Sequence, residues 1–230
     1  MRALTVVLLA AALFAGALPA AAQFAGQVGQ AWYPIVGADG KPVANHRIRA
    51  ELESRIAALP GAVTVGNPQG DVTLVEFYDL NCPYCRRAAA DLHRLLQDDP
   101  KLKVVLVPFP VLSEASILAA RVELAVAQML PPARFYAFHR KLYEGRGVID
   151  GNRALAVARD FALDPKALVE AADQESITEA MKAHVRLGNA MGLMATPAYV
   201  IKGVAVLGHP GVTSLQQMIA SVRRCDQVVC

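Results

Sequence analysis

The sequence predicts an α/β fold interrupted by a helical insertion, and three observations carry that prediction. A short β-branched and aromatic run, Val72 to Tyr78, leads through Cys82-Pro83-Tyr84-Cys85 into a helical pattern and then a second apolar run. An Ala-rich stretch from Ser113 to about Met191 keeps a helical period. Strand signals then return as a hairpin, followed by a last amphipathic helix.

Taken in order, the chain begins with Met1-Arg2, an apolar run from Leu4 to Phe14, then Pro19 and Ala20-Ala21-Ala22. A basic start, an apolar core and a small-residue end are the pattern of a secretory signal peptide over 1–22, with Gln23 as the first mature residue. The competing reading is an uncleaved membrane anchor, which Pro19 and the Ala-x-Ala ending disfavour. Residues 23–62 read as an extension: a Gly- and Pro-containing lead-in, then a helix from Asn45 to Leu59 with Ile48, Leu52, Ile56 and Leu59 on one face. That face packs on the main domain or forms a contact between copies. Trp32 is a local packing anchor in this reading, with an oligomer contact as the alternative.

Residues 63–112 form the first part of the main domain. Val72 to Tyr78 follows a Gly66 to Gly70 turn cluster and reads as a strand buried on both faces. The helical pattern runs from Arg86 to Gln97, and Leu102 to Val107 is the second strand. The insertion, 113–191, breaks at Pro131-Pro132, Gly145 to Gly151 and Asp164-Pro165, which gives about four helices. In the second part, 192–224, Ala198 to Ile201 and Val204 to Leu207 flank a two-residue Lys202-Gly203 connection. A helix from about Val212 to Arg223 follows. A tail, 225–230, ends the sequence.

Composition narrows the function classes. The formal net charge is +3, and removing Arg2 with the leader leaves +2, too small a surplus for a nucleic-acid or lipid partner. All four cysteines, Cys82, Cys85, Cys225 and Cys230, lie beyond the leader as two close pairs. A chain of this size needs no disulfides for bulk stability, so few cysteines so grouped point to chemistry at one pair or both.

A C-x-x-C pair serves redox enzymes, zinc sites or haem attachment; residue 86 is Arg rather than His, which removes haem. Zinc needs two more ligands, available only if Cys225 and Cys230 fold over the motif. The placement after a buried strand and at a helix start favours redox chemistry, because free amide N–H groups and the helix dipole stabilise a thiolate there. Cys82 at the N-cap is the candidate nucleophile, with Pro83 suited to the first turn. Cys85, one turn inside, is the resolving thiol, and the alternative is a static disulfide or metal pair. Glu76 is the only ionisable residue inside its strand. Buried, it would hold its proton unusually tightly and could exchange one with Cys85; on an edge strand it would face water. Thr196-Pro197 stands before a strand, where a cis peptide accounts for the proline and a trans loop is the alternative.

LVEFYDLNCPYC, the helical insertion and MATPAYVIKG together resemble the DsbA-like thiol:disulfide oxidoreductases of the bacterial periplasm, a thioredoxin fold interrupted by a helical domain. The resemblance spans roughly Val63 to Arg223. It implies Cys82 as nucleophile, Cys85 as resolving cysteine, Glu76 as buried acid and Pro197 as a cis-proline facing the disulfide. Thr196, Pro197, Pro83 and Tyr84 become the substrate-binding surface, the Thr196 backbone pairing with an extended client peptide. It further implies exported client proteins with cysteines, a membrane redox partner, a periplasmic location, and no cofactor or metal beyond the Cys82-Cys85 disulfide. The chain departs from the best-known oxidase in carrying Tyr84 where that enzyme has His. Thr196 with Tyr84 is more like the branch of isomerases and copper-tolerance proteins. The same thiols therefore also suit an isomerase or reductase kept reduced, or a copper- or zinc-binding protein.

The remaining residues receive plainer readings. Arg86 and Arg87 read as solvated helix residues, with positive potential near the thiolate as the alternative, and His46, His93, His139, His184 and His209 are scattered surface or capping residues without metal-ligand spacing. Cys225 and Cys230 are expected to form a local disulfide, which requires the last helix to end by about Arg224. An intermolecular bridge or a metal-binding pair are the alternatives.

Overall fold

A computed structural model describes residues 33–230, so the leader assigned to 1–22, the extension up to 32 and Trp32 lie outside the described residues. Six strands form one sheet: β1 (Asn45–Arg47), β2 (Val63–Gly66), β3 (Val72–Tyr78), β4 (Leu102–Pro108), β5 (Ala198–Ile201) and β6 (Val204–Leu207). Their order is β1-β6-β5-β3-β4-β2, and β3 and β4 are the parallel pair. The crossover between those two is the helix α2 (Pro83–Asp98), as a parallel pair requires.

Strand β3 sits at the centre and is buried on both faces. Leu74 and Tyr78 point into one apolar cluster and Val75 and Phe77 into the other, following the two-residue period of a strand. The first cluster also holds α2, most of the helical insertion and the last helix. The second holds Leu52, Ile56 and Leu187. Glu76 shares the face of Leu74 and Tyr78, the one that carries the cysteine motif.

Between β4 and β5 run five helices: α3 (Glu114–Met129), α4 (Pro132–Leu142), α5 (Gly151–Arg159), α6 (Pro165–Ala172) and α7 (Glu175–Ala190). Capping explains several starts: Ser113 accepts from the Ser116 N–H, Asp150 from Arg153, and Asp164 from Lys166 and Ala167. The count is five rather than four because α6 and α7 separate at Asp173-Gln174, where neither Pro nor Gly announces the break. Gly188 lets α7 lie against β4's exit: a Cβ there would meet the Phe109 ring at 2.6 Å.

The hairpin is as its sequence indicates. Lys202 and Gly203 both take positive φ, 48° and 72°, the combination of a two-residue turn that matches strand twist. Helix α8 (Val212–Cys225) then closes the cluster, and Arg223 bonds both Asp71 and Asp99.

Two expectations near the start are corrected. The helix expected from Asn45 to Leu59 is split into strand β1 and a short helix α1 (Ala50–Ser54) that continues as a 3-10 turn, Arg55–Ala58. Asn45 to Arg47 pair with the free edge of β6, and the backbone bonds gained there outweigh a helical period of which Leu52 and Ile56 are fully buried while Ile48 and Leu59 pack only in part. Strand β2 was not marked by the sequence. Its four residues are too few to show a period, and its pairing is to β4.

Candidate active site

The site is built where β3 ends and α2 begins. Cys82 has extended backbone and is the N-cap of α2, Pro83 occupies the first helical position, and the Arg86 N–H bonds the Cys82 carbonyl at 3.2 Å. The thiol of Cys82 donates to the Thr196 carbonyl at 3.0 Å, across the sheet from its own strand. Thr196-Pro197 is a cis peptide. Pro83 and Tyr84 are exposed beside it, with the Arg87 guanidinium 4.6 Å from the Tyr84 ring centre.

The two thiols are unequal. Cys82 is pulled down from 9.0 to about 5, chiefly by the hydrogen bond from the Cys85 side chain, with help from the Thr196 side chain and from the Cys85 and Tyr84 backbone N–H groups against an opposing burial penalty. The Tyr84 and Cys85 N–H groups belong to the first turn of α2, where N–H groups have no helical partners, and Thr196 reaches the sulfur from the segment before β5. Cys85, at 1% exposure, is pushed far up, first by burial, then by its hydrogen bond to Cys82 and the nearby Glu76 charge. Glu76 is 2% exposed and holds its proton up to about 8, because burial penalises the anion and the Cys82 thiolate repels it. A thiolate, a protonated thiol and a protonated carboxyl therefore coexist near neutral pH on one face of the sheet.

A polar frame that the sequence did not announce holds this loop still. Asp79, 1% exposed, accepts from the Asn81 N–H and the Ser116 hydroxyl through Oδ1 and from the Val111 and Leu112 N–H groups through Oδ2. Asn81 in turn clamps Ile149, its Nδ2 donating to the carbonyl and its Oδ1 accepting from the N–H, each at 2.8 Å. The loop before the motif is thus bonded to the β4 exit and to the insertion. Deeper in, Glu123, fully buried, accepts from the Tyr78 hydroxyl at 2.9 Å and bonds His139 Nδ1 at 2.8 Å.

Several plain readings change. Arg86 is not simply solvated: it donates to the carbonyls of Tyr143 and Gly145 and lies 5.6 Å from the Tyr143 ring centre, so it walls a cleft of about 430 Å³ beside Cys82. His139 and His184 are buried rather than at the surface, His184 bridging the carbonyls of Pro60 and Pro108. Scattered in sequence, these histidines are drawn inside by partners that only the packing supplies. The signals that could have found the frame were the short Asp79-x-Asn81 spacing before the motif and the Ser113-x-x-Ser116 cap.

Cys225 and Cys230 form a disulfide with Cα atoms 6.6 Å apart. Helix α8 reaches Cys225, one residue beyond the expected end, and Asp226 at φ 61° turns the chain back. The pair lies away from the motif. Arg223 is bonded to Asp71 at the entry to β3, and Cys82 stands beyond that strand's exit, about 20 Å along it. The four cysteines therefore do not assemble into one metal site. Among the described residues no cluster of three or more His, Cys, Asp or Glu side chains is placed to hold a metal ion.

Comparison with known proteins agrees with this geometry. A thioredoxin-like oxidoreductase from Silicibacter pomeroyi is 35% identical, covering 72% of this chain and 94% of its own, with a TM-score of 0.67. A periplasmic thioredoxin-like protein from Salmonella enterica serovar Typhimurium is 26% identical over 78% of this chain and 98% of its own, with a TM-score of 0.65. Disulfide bond formation protein D of Bacillus subtilis is 25% identical over 174 residues, which are 70% of this chain and 77% of that protein. The family model described as the DSBA-like thioredoxin domain matches residues 73–220, which take in the central strand, the cysteine motif, the whole insertion and the cis-proline hairpin. The chain belongs to the DsbA-like thioredoxin-domain family of thiol:disulfide oxidoreductases.

Proposed function

We propose that this protein donates disulfides to cysteines of exported proteins in the periplasm through Cys82 and Cys85, and that a membrane redox partner reoxidises it. The observation that carries the direction is the unequal pair of thiols. A thiolate held at about 5 makes the reduced form stable, and a stable reduced form means a disulfide that readily gives itself away.

In the forward half-reaction a client thiolate attacks Cys82 Sγ and the Cys82–Cys85 bond breaks. The departing Cys85 sulfur takes a proton from Glu76, since a thiolate buried there is a poor leaving group. A second client thiolate then attacks the client sulfur, forming the client disulfide and expelling the Cys82 thiolate. The client's two electrons end on Cys82 and Cys85, so this half-reaction needs no other redox group, and the membrane partner removes them afterwards. The extended client strand would lie along Thr196, whose carbonyl already faces Cys82. Export is supported by the leader pattern over 1–22 and by the periplasmic relative from Salmonella.

Trapping tests the assignment. Cys85→Ser should accumulate mixed disulfides with client proteins, whereas Cys82→Ser should accumulate few. Equal trapping by both variants, or stoichiometric copper or zinc binding without adducts, would defeat it. Finding the Cys82-Cys85 pair mainly as dithiol in cells would reverse the direction in favour of isomerase or reductase work.

A further inference from the structure

Three polar side chains outside the exchange site form a hydrogen-bonded line from the surface to the neighbour of Glu76. Asp91 stands on α2, less than two turns beyond Cys85, with its side chain 25% exposed. Its Oδ2 lies 2.9 Å from His209 Nε2, in the loop leaving β6. His209 Nδ1 is 2.9 Å from the Tyr199 hydroxyl. A neutral ring that donates its Nε2–H to the carboxylate accepts at Nδ1, so the phenol donates to it. Tyr199 is fully buried in β5 and is the direct cross-strand partner of Glu76. Residues so paired share a face, with Cβ atoms about 5 Å apart.

The other neighbours of Glu76 offer no comparable exit. On β4 its partner is Leu106. On α2 stand Cys82 and Cys85, the groups it serves. Tyr136 and Tyr143 of the insertion have buried hydroxyls without partners. Tyr78 on its own strand leads to Glu123 and His139, which are 0% and 2% exposed and form a closed interior network. Among the described residues around Glu76, the line through Tyr199 is the one that ends at a partly exposed carboxylate.

We propose that Tyr199, His209 and Asp91 relay to solvent the proton that Glu76 takes from Cys85, as positioning residues that act through Glu76. The proposal rests on the roles given above to Cys82, Cys85 and Glu76. Whichever way electrons flow over a cycle, one half-reaction requires Cys85 to attack a mixed disulfide at Cys82. There the bond between Cys82 and the partner sulfur breaks, the Cys82–Cys85 bond forms, and the partner leaves with the electron pair. Forming the mixed disulfide consumes the Cys82 thiolate whose repulsion helped Glu76 keep its proton, so Glu76 first yields that proton along the line and its carboxylate then takes the proton of Cys85. Glu76 returns to its anion by giving a proton through water to the Tyr199 oxygen, as the phenol proton moves to His209 Nδ1 and the Nε2 proton to Asp91.

The test is two-phase reaction of the reduced protein with an aromatic disulfide whose thiolate product absorbs. The first phase reports attack by Cys82 and the second reports attack by Cys85. Tyr199→Phe and His209→Gln should leave the first phase unchanged and slow the second about tenfold. That is less than the roughly 10²- to 10⁴-fold contribution of a positioned acid or base, because water replaces the relay in part. Imidazole in the buffer should restore the second phase in both variants and leave the wild type unaffected, and Tyr199→Phe should add nothing to Glu76→Gln. Should either interior variant fail to fold, Asp91→Asn at the surface end should slow the same phase. Unchanged second phases, equal slowing of both phases, no recovery with imidazole, or additive slowing with Glu76→Gln would each overturn the relay. A wild type that shows no second phase would instead overturn the assignment of Cys85, and is thereby distinguished.

Discussion

Replacing Glu76 by Gln should change how stability depends on pH, and the size of the change can be worked from its surroundings. The carboxyl holds its proton to about 8 in the fold against an ordinary value of 4.5, because it is buried and faces the Cys82 thiolate. Below 4.5 it is protonated both folded and unfolded, and its favourable contribution is fully present. As pH rises further the unfolded chain ionises while the folded one cannot, so stability is lost until pH passes about 8. At about 1.4 kcal/mol per pH unit the whole window amounts to about 5 kcal/mol. Gln has the same shape and never ionises, so the variant lacks that slope. Urea unfolding of both proteins in the dithiol state, repeated between about pH 5 and about pH 8, measures the difference. The advantage of the variant should grow steadily with pH while its exchange rate falls. It should grow less in the disulfide state, where no Cys82 thiolate repels the carboxylate. A stability difference that is flat across the window would refute the claim that Glu76 is buried and protonated.

Three further outcomes follow from the same structure. The Cys82 thiolate, followed by its ultraviolet absorbance, should titrate near 5, and Cys85→Ala should raise that midpoint, because the Cys85 side chain is its largest stabiliser; an unmoved midpoint would contradict that cause. Asp79→Ala should destabilise the fold by about 3 kcal/mol in chemical denaturation, since it strands the donors on Asn81, Val111 and Leu112 together with the Ser116 hydroxyl. Replacing Cys225 and Cys230 by Ser should cost about 2 kcal/mol or less, the entropy of so short a loop, and should leave the exchange rate intact. Covalent dimers of the wild type on a non-reducing gel would instead show the bridge to be intermolecular.

The sequence by itself determined the parts of this protein whose physics is local. A buried strand declares itself by unbroken β-branched and aromatic residues, a helix start by Pro83, and a tight hairpin by Lys202-Gly203. The β3, motif, α2 and hairpin assignments therefore needed no partner to be read. The pairing of cysteines across one helical turn is likewise written in their spacing. What the tertiary structure decided depends on residues far apart in the chain. Asn45 to Arg47 carry a helical pattern yet form a strand, because β6 offers an unpaired edge. Asp79 looks like a turn residue until Ser116 and the Val111 and Leu112 amides close around it, and His139 looks like a surface residue until Glu123 faces it. The line from Asp91 through His209 to Tyr199 joins residues 118 and 10 positions apart. A buried polar group must find a partner, and which partner it finds is fixed by packing rather than by its neighbours in sequence.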